Sequence, residues 1–206
     1  MRRVPTTIAA VLAATTLLAG CGSSLSPTGN VLRSESNGGK YLMTSQVVGY
    51  VVKPELSGKG SPLGKHHIAV LLEVRNGFED RPVEASKWRQ PTFTDNSADE
   101  AVKECPARLL GPDCGRTSKN WKDVVFLDAS DVLERPGKLT GSRGGVQNLE
   151  PGEPYYALMH REFDEAITPE QLTICAKVSS SEKRKSEDCT PLSEVPELPA
   201  EIAEAL

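Results

Sequence analysis

Along this chain, apolar residues alternate with polar ones far more often than they recur at helical spacing. In the longest apolar stretch beyond the N-terminus, His67-Ile68-Ala69-Val70-Leu71-Leu72-Glu73-Val74-Arg75, the residues Ile68, Val70, Leu72 and Val74 share one face. Asn76-Gly77 marks a turn after it. Gln46-Val47-Val48-Gly49-Tyr50-Val51-Val52 is β-branched and aromatic and stops at Pro54. Trp88 to Asp95, Val124 to Leu127, Tyr155 to Phe163 and Leu172 to Val178 supply further strands. Helical periodicity is weak except at Asp99 to Glu104, which suits a turn or two, and in the acidic, proline-punctuated tail from Glu194 to Leu206. Strands separated by turn-rich loops predict an all-β chain folded as an antiparallel sandwich.

The N-terminus departs from this pattern. Arg2-Arg3 precedes a run from Ile8 to Leu18 broken only by Thr15 and Thr16. That run is well short of the ~20 apolar residues a membrane-spanning helix needs, and it fits the apolar core of a signal peptide. The residues that close it, Leu18-Ala19-Gly20-Cys21, resemble the lipobox of bacterial lipoproteins. The resemblance implies that the Cys21 thiol receives a diacylglycerol group, that the chain is cut before it, and that the new α-amine is often acylated. A thiol is the side chain nucleophilic enough for that alkylation. At ~0.8 kcal/mol per buried methylene, one acyl chain holds marginally and two or three hold durably. The twin-arginine export route is less suited than the general secretory route, because the other residues of its motif are missing.

Gly22 to Gly29 and Ser34 to Gly39 have the Gly/Ser-rich composition of a flexible linker. The expected organisation is a lipoprotein signal peptide over 1–20, the lipidated cysteine and linker over 21–44, the sandwich over 45–192, and the acidic tail over 193–206. The expected location is the extracytoplasmic side of the cell membrane, with the lipid on Cys21 as the membrane contact.

Charge and cysteine count sharpen this picture. The net charge of −4 becomes −6 once Arg2 and Arg3 leave with the signal peptide. Such an acidic balance gives no reason to expect nucleic acid as a partner. Setting Cys21 aside leaves Cys105, Cys114, Cys175 and Cys189, an even number in an exported protein, so two disulfides are expected. Three connectivities are open, and short polar loops favour Cys105–Cys114 and Cys175–Cys189. For the second pair, Ile174 to Val178 reads as a strand and Ser179 to Asp188 contains no core former. A charged turn and return would then bring Cys189 opposite Cys175. On the chain-entropy view, closing such a loop contributes about 3 kcal/mol. Separations of nine and fourteen residues are not the two-residue gaps of zinc knuckles, so no metal or cofactor is expected at these cysteines.

Four short motifs carry a second resemblance: Val70 to Asn76, Arg81-Pro82-Val83, Phe93-Thr94-Asp95 and Leu149-Glu150-Pro151-Gly152-Glu153. Together they resemble the immunoglobulin-like, telokin-like domain of secreted lipoproteins of Gram-positive bacteria. The resemblance spans roughly Gln46 to Val178 and implies an immunoglobulin-like sandwich without an assigned reaction. Asn76 is expected to adopt turn backbone angles, and Pro151-Gly152 to make a tight turn into Tyr155 to Met159. The insertion from Ala98 to Gly145, which carries Cys105, Cys114 and Trp121, is longer than that family's usual loop.

Candidate chemistry is sparse. His66-His67 is conspicuous, but neighbours on a strand point to opposite faces and do not easily chelate one ion. His66 is expected to be solvated and His67 partly packed. His160 shares a strand face with Glu162, as a base and its orienter would, or as an ordinary ion pair. The chain has no Gly-x-Ser-x-Gly elbow, and Gly141 to Gly145 lacks the lysine and the strand–helix frame of a phosphate loop. Lys183-Arg184-Lys185 is largely neutralised by Glu182 and Glu187. Trp88 is expected in the core. Trp121, in the polar stretch Ser118 to Lys122, is the candidate binding contact. Catalytic residues and cofactors are therefore not expected. The leading expectation is a non-catalytic envelope binding or accessory module with a protein or glycan partner. The alternative is a hydrolase or metal-dependent enzyme using His160 or His66 with nearby carboxylates.

Overall fold

The computed structural model describes residues 25–53, 66–95, 126–141, 145–163, 168–176 and 188–206. Ten strands and three short helices are present among them: β1 (Thr28–Ser36), β2 (Tyr41–Lys53), β3 (His66–Asn76), β4 (Val83–Glu84), β5 (Thr92–Asp95), β6 (Phe126–Asp128), α1 (Ala129–Glu134), α2 (Lys138–Gly141), β7 (Asn148–Leu149), β8 (Pro154–Phe163), β9 (Leu172–Cys175), β10 (Cys189–Pro191) and α3 (Ala200–Ala205). The large sheet has the order β1-β2-β3-β8-β6, and the layer facing it holds the sheets β10-β9-β5 and β4-β7. Neighbouring strands in every sheet are antiparallel. The chain is thus the all-β antiparallel sandwich that its alternation predicts.

The core between the layers joins Met43, Val47, Ile68, Val70, Leu72, Val74, Ala157 and Met159 of the large sheet to Val83, Trp88, Phe93, Leu149, Leu172 and Ile174 of the other layer. Trp88 is a core residue, as expected, set edge-on to Phe126 with ring centroids 5.3 Å apart. Tyr155 Oη accepts a hydrogen bond from the backbone N–H of Glu150 at 3.0 Å. The bond joins the start of a strand to the turn before it, as the tyrosine corner of immunoglobulin-like sandwiches does.

The outer face of the large sheet is also covered. Val48, Ala69, Leu71, Tyr156 and Leu158 pack there against Val132 of α1, Leu139 of α2, and Leu198, Ile202 and Leu206 at the C-terminus. This explains why β3 reads as a near-continuous apolar run: Ile68 to Leu72 are all fully buried, because both faces meet protein. It also explains the run in β2. A register shift between Val47 and Gly49 inserts Val48 as a bulge. Alternation changes phase there, so Val47 and Tyr50 join the inner core while Val48 and Val51 join the outer one.

Two expected boundaries are corrected. The linker expected over 21–44 contains β1 and the start of β2, which leaves only Gly22 to Pro27 between Cys21 and the first strand. β1 is an edge strand with just Leu32 and Ser34 fully buried, held to β2 from Leu32↔Ser45 to Ser36↔Tyr41. Its polar face is what an edge strand shows to water, and that face gives it a linker's composition.

The expected tail over 193–206 is part of the fold. Its acidic residues face solvent, while Val195, Leu198, Ile202 and Leu206 are buried. Past the end of β1, the edge of β2 is taken up by this segment: Tyr50 N–H donates to Pro196 O at 3.2 Å and Leu198 N–H to Tyr50 O at 2.8 Å. Gly49 makes the crossing feasible, since a Cβ there would lie 2.9 Å from Leu198 Cδ2.

Candidate functional site

Four groups of residues on this frame have the chemistry to act or to hold. The first is the disulfide between Cys175 and Cys189, formed as the cysteine spacing predicts. The two residues face each other in the β9–β10 register. Cys21, Cys105, Cys114 and Trp121 lie outside the described residues.

The second is Asn76, where three of the resemblance motifs meet. Its Nδ2 donates to Arg81 O at 2.6 Å and to Leu149 O at 2.9 Å, and its Oδ1 accepts from Phe78 N–H at 2.9 Å. The side chain pins the 77–82 loop to the Leu149 turn, so its role is bonding rather than an unusual turn conformation. Among the described residues that are not glycine, only Asn37 has positive φ, at 52°. The Pro151-Gly152 turn does need its glycine, with φ of 80°.

The third group lies on the outer face of the large sheet. Glu73, 5 % exposed, accepts from Arg75 Nε at 2.6 Å and from Tyr156 Oη at 3.3 Å. Arg75 also reaches Gly152 O at 3.1 Å. A buried carboxylate costs heavily without such partners. Burial first, then the charge of Glu73 and its hydrogen bond, pushes the Tyr156 phenol up to about 12. On α1, Asp131 is similarly engaged, paired with Arg135 and with Lys138 at 3.2 Å.

The fourth group is a pair of histidines. His67 of β3 and His160 of β8 lie on the same outer face, 1 % and 8 % exposed, with ring centroids 5.9 Å apart and ring planes inclined by 42°. His67 was expected to be only partly packed, and the meeting with His160 depends on strand register rather than on sequence proximity. Ala69 is directly opposite His160, and His67 is directly opposite Glu162. The engaged carboxylate of Glu73 lies six positions from His67 along β3, roughly 20 Å at strand spacing, so it is not a partner for this pair. The side chains of His66 and Glu162 are outside the description. Among the described residues, no three His, Cys, Asp or Glu side chains are gathered so as to hold a metal ion. No described helix is long and apolar enough to cross a membrane.

Strand direction gives these groups an orientation. β1 runs from Thr28 toward the turn at 37–40, and the 77–82 loop and the Pro151-Gly152 turn lie at that same end. At that end Tyr41 is half-exposed between Lys40 Nζ at 5.5 Å and Lys87 Nζ at 5.8 Å, and Arg81 covers the ring of Phe78 at 4.0 Å. The histidine pair sits toward the opposite end, where the N-terminal segment enters. No protein-family model, no curated protein and no solved structure matches the chain.

Proposed function

We propose that the chain is a lipid-anchored extracytoplasmic lipoprotein whose sandwich acts as a non-catalytic binding or accessory module in the cell envelope. The observation that carries this reading is the sequence Leu18-Ala19-Gly20-Cys21 placed directly before the fold, with only Gly22 to Pro27 between the cysteine and β1. Six residues reach at most about 20 Å when fully extended, and Leu25 already packs on the outer core, so the sandwich would sit close to the lipid. The turn end bearing Tyr41 and Phe78 would then face away from the bilayer, toward a protein or glycan partner. The non-catalytic part of the reading draws support from how the described buried polar groups are used: Glu73 and Asn76 spend their bonding capacity on neighbouring parts of the fold.

The test is metabolic labelling with an alkyne fatty acid in a bacterial host, comparing the natural chain with Cys21→Ala. The natural chain is expected to take up label and to fractionate with membranes, and Cys21→Ala to lose both. Label retained by Cys21→Ala would overturn the anchor. Crosslinking in native membranes followed by mass spectrometry identifies the partner, and Tyr41→Ala with Phe78→Ala is expected to reduce its capture.

A further inference from the structure

The chain contains the dipeptide Asn-Gly twice, at Asn37-Gly38 and at Asn76-Gly77, and the fold treats the two in opposite ways. In Asn-Gly a side-chain amide lies beside the least hindered of backbone nitrogens, because glycine has no Cβ. That nitrogen can close a five-membered ring on the amide carbon, a reaction within one chain that needs no encounter between molecules. How firmly the surrounding structure holds the two groups decides whether the ring closes.

At Asn76 both groups are held. The residue is 8 % exposed, and its Nδ2 donates to Arg81 O at 2.6 Å and to Leu149 O at 2.9 Å. The attacking nitrogen is occupied as well, since Gly77 N–H donates to Leu42 O at 2.9 Å. The space beside it is filled: a Cβ on Gly77 would lie 2.4 Å from Leu42 Cγ. Ring closure there has to break these hydrogen bonds, so it proceeds only through local opening of the fold.

At Asn37 neither group is held. Asn37, Gly38 and Gly39 form the exposed tip of the β1–β2 hairpin, with φ of 52°, 65° and 80°. Among the described residues, no hydrogen bond engages the Asn37 side chain or the Gly38 N–H. One long bond, from Lys40 N–H to Asn37 O at 3.4 Å, spans the turn. A Cβ on Gly38 or on Gly39 would meet nothing within 4 Å, so the tip has room to swing.

We propose that Asn37 is a site of spontaneous deamidation in the folded chain, and that Asn76 is protected from the same reaction by the bonds that join the two layers. Gly38 N gives its proton to a solvent base and bonds to Asn37 Cγ, the Cγ–Nδ2 bond breaks, and ammonia leaves. The product is a succinimide. Water then adds to one of its two carbonyls and opens the ring to aspartate or to isoaspartate. One amide and one water thus become one carboxylic acid and ammonia, with no oxidant or reductant. The new carboxylate stands in the turn that holds Lys40, whose carbonyl accepts from Arg81 Nη2 at 3.2 Å, so a negative charge arrives beside these two cations. Isoaspartate also adds a methylene to the backbone between Ser36 and Tyr41, the last pair of the β1–β2 register. The reaction depends neither on the lipid anchor nor on the partner.

The experiment incubates the full chain, purified in detergent, in mildly alkaline buffer, once folded and once in guanidinium chloride. Tryptic peptides from Ser34 to Lys40 and from Asn76 to Lys87 are followed by mass spectrometry against a sample taken at the start, with electron-transfer fragmentation to separate aspartate from isoaspartate. In the folded chain Asn37 is expected to gain about one dalton and to yield both products, at least about tenfold faster than Asn76. In guanidinium chloride the two sites are expected to react at comparable rates. Asn37→Gly, which keeps the positive φ without the amide, is expected to lose the acidic species seen by ion exchange. An Asn37 that stays intact in the folded chain overturns the proposal, whether or not it reacts when unfolded. So does an Asn76 that reacts as fast as Asn37 in the folded chain, or an acidic species that persists unchanged in Asn37→Gly.

Discussion

The two faces of the large sheet are built by different rules. The inner face meets another layer of strands, and both sides of that contact carry apolar residues at alternate positions, from Met43 to Val74 on one side and from Val83 to Ile174 on the other. The outer face meets short helices and a crossing C-terminal segment. Its apolar centre, Ala69, Leu71 and Leu158, is flanked by polar groups: the histidine pair toward one end and Glu73 with Arg75 and Tyr156 toward the other. A face that closes strand on strand can be uniformly apolar. A face covered by helices of four to six residues leaves the margins of the sheet to be closed by side chains that bond.

The largest expected effect tests whether the two faces differ in strength. Leu72, fully buried, belongs to the inner core, and Ile202, 2 % exposed, belongs to the outer one. Leu72→Ala is expected to cost about 4 kcal/mol in urea unfolding, toward the top of the range for buried leucines. Ile202→Ala is expected to cost nearer ~2 kcal/mol, because a short terminal helix relaxes into the space more readily than a central strand does. Equal costs would mean that α3 is as integral to the core as β3, and the contrast would fail.

Next comes Asn76, which joins the end of β3 to the other layer. Asn76→Ala removes three hydrogen bonds and leaves the carbonyls of Arg81 and Leu149 without that donor. The expected loss is about 2–3 kcal/mol, since unpaired buried groups cost more than a hydrogen bond gains. Asn76→Asp keeps the acceptor for Phe78 N–H but not the donors, so it is expected to lose nearly as much. An Asp variant as stable as the natural chain would show that the turn at Phe78, rather than the link between layers, is what matters.

These contrasts also show what could be read in the sequence. The strands of the inner face were legible because a two-sided strand contact repeats every second residue, and the β9–β10 hairpin was legible because a strand, a charged stretch and a cysteine can return in only a few ways. β1 was not, because an edge strand with one buried leucine carries almost no periodic signal. The C-terminal segment was legible only as helical periodicity: Leu198, Ile202 and Leu206 recur at four-residue intervals, but the prolines and acids around them hid that this stripe packs on the sheet. α1 left a signal: Asp128 caps it, accepting from Asp131 N–H at 2.9 Å, and the chain turns off before Pro136. The histidine pair could not be read without register. His67 and His160 are 93 positions apart in sequence, and only the pairing of β3 with β8 sets them together.

The smallest expected effect at neutral pH changes character in alkali. Tyr156→Phe removes one hydrogen bond of 3.3 Å to Glu73, while Arg75 remains on the same carboxylate. The expected cost at pH 7 is under ~1 kcal/mol. Above pH 10 the comparison turns. In the folded chain the phenol holds its proton up to about 12, whereas in the unfolded chain it releases it near the usual tyrosine value of 10.0. Between those two values the folded state binds more protons than the unfolded one, so stability falls as pH rises. The contribution is fully present below pH 10 and is lost on the way to about 12, because the tyrosinate would have to sit buried beside the Glu73 carboxylate. Phenylalanine has no proton to lose, so Tyr156→Phe is expected to unfold less steeply with pH across this window than the natural chain does. Tyr50, whose phenol is also raised, by burial and by Glu197, contributes the remaining slope in both proteins. Parallel stability–pH curves for the two would show that Tyr156 ionises freely, and that this margin of the outer face is open to water rather than sealed by Glu73.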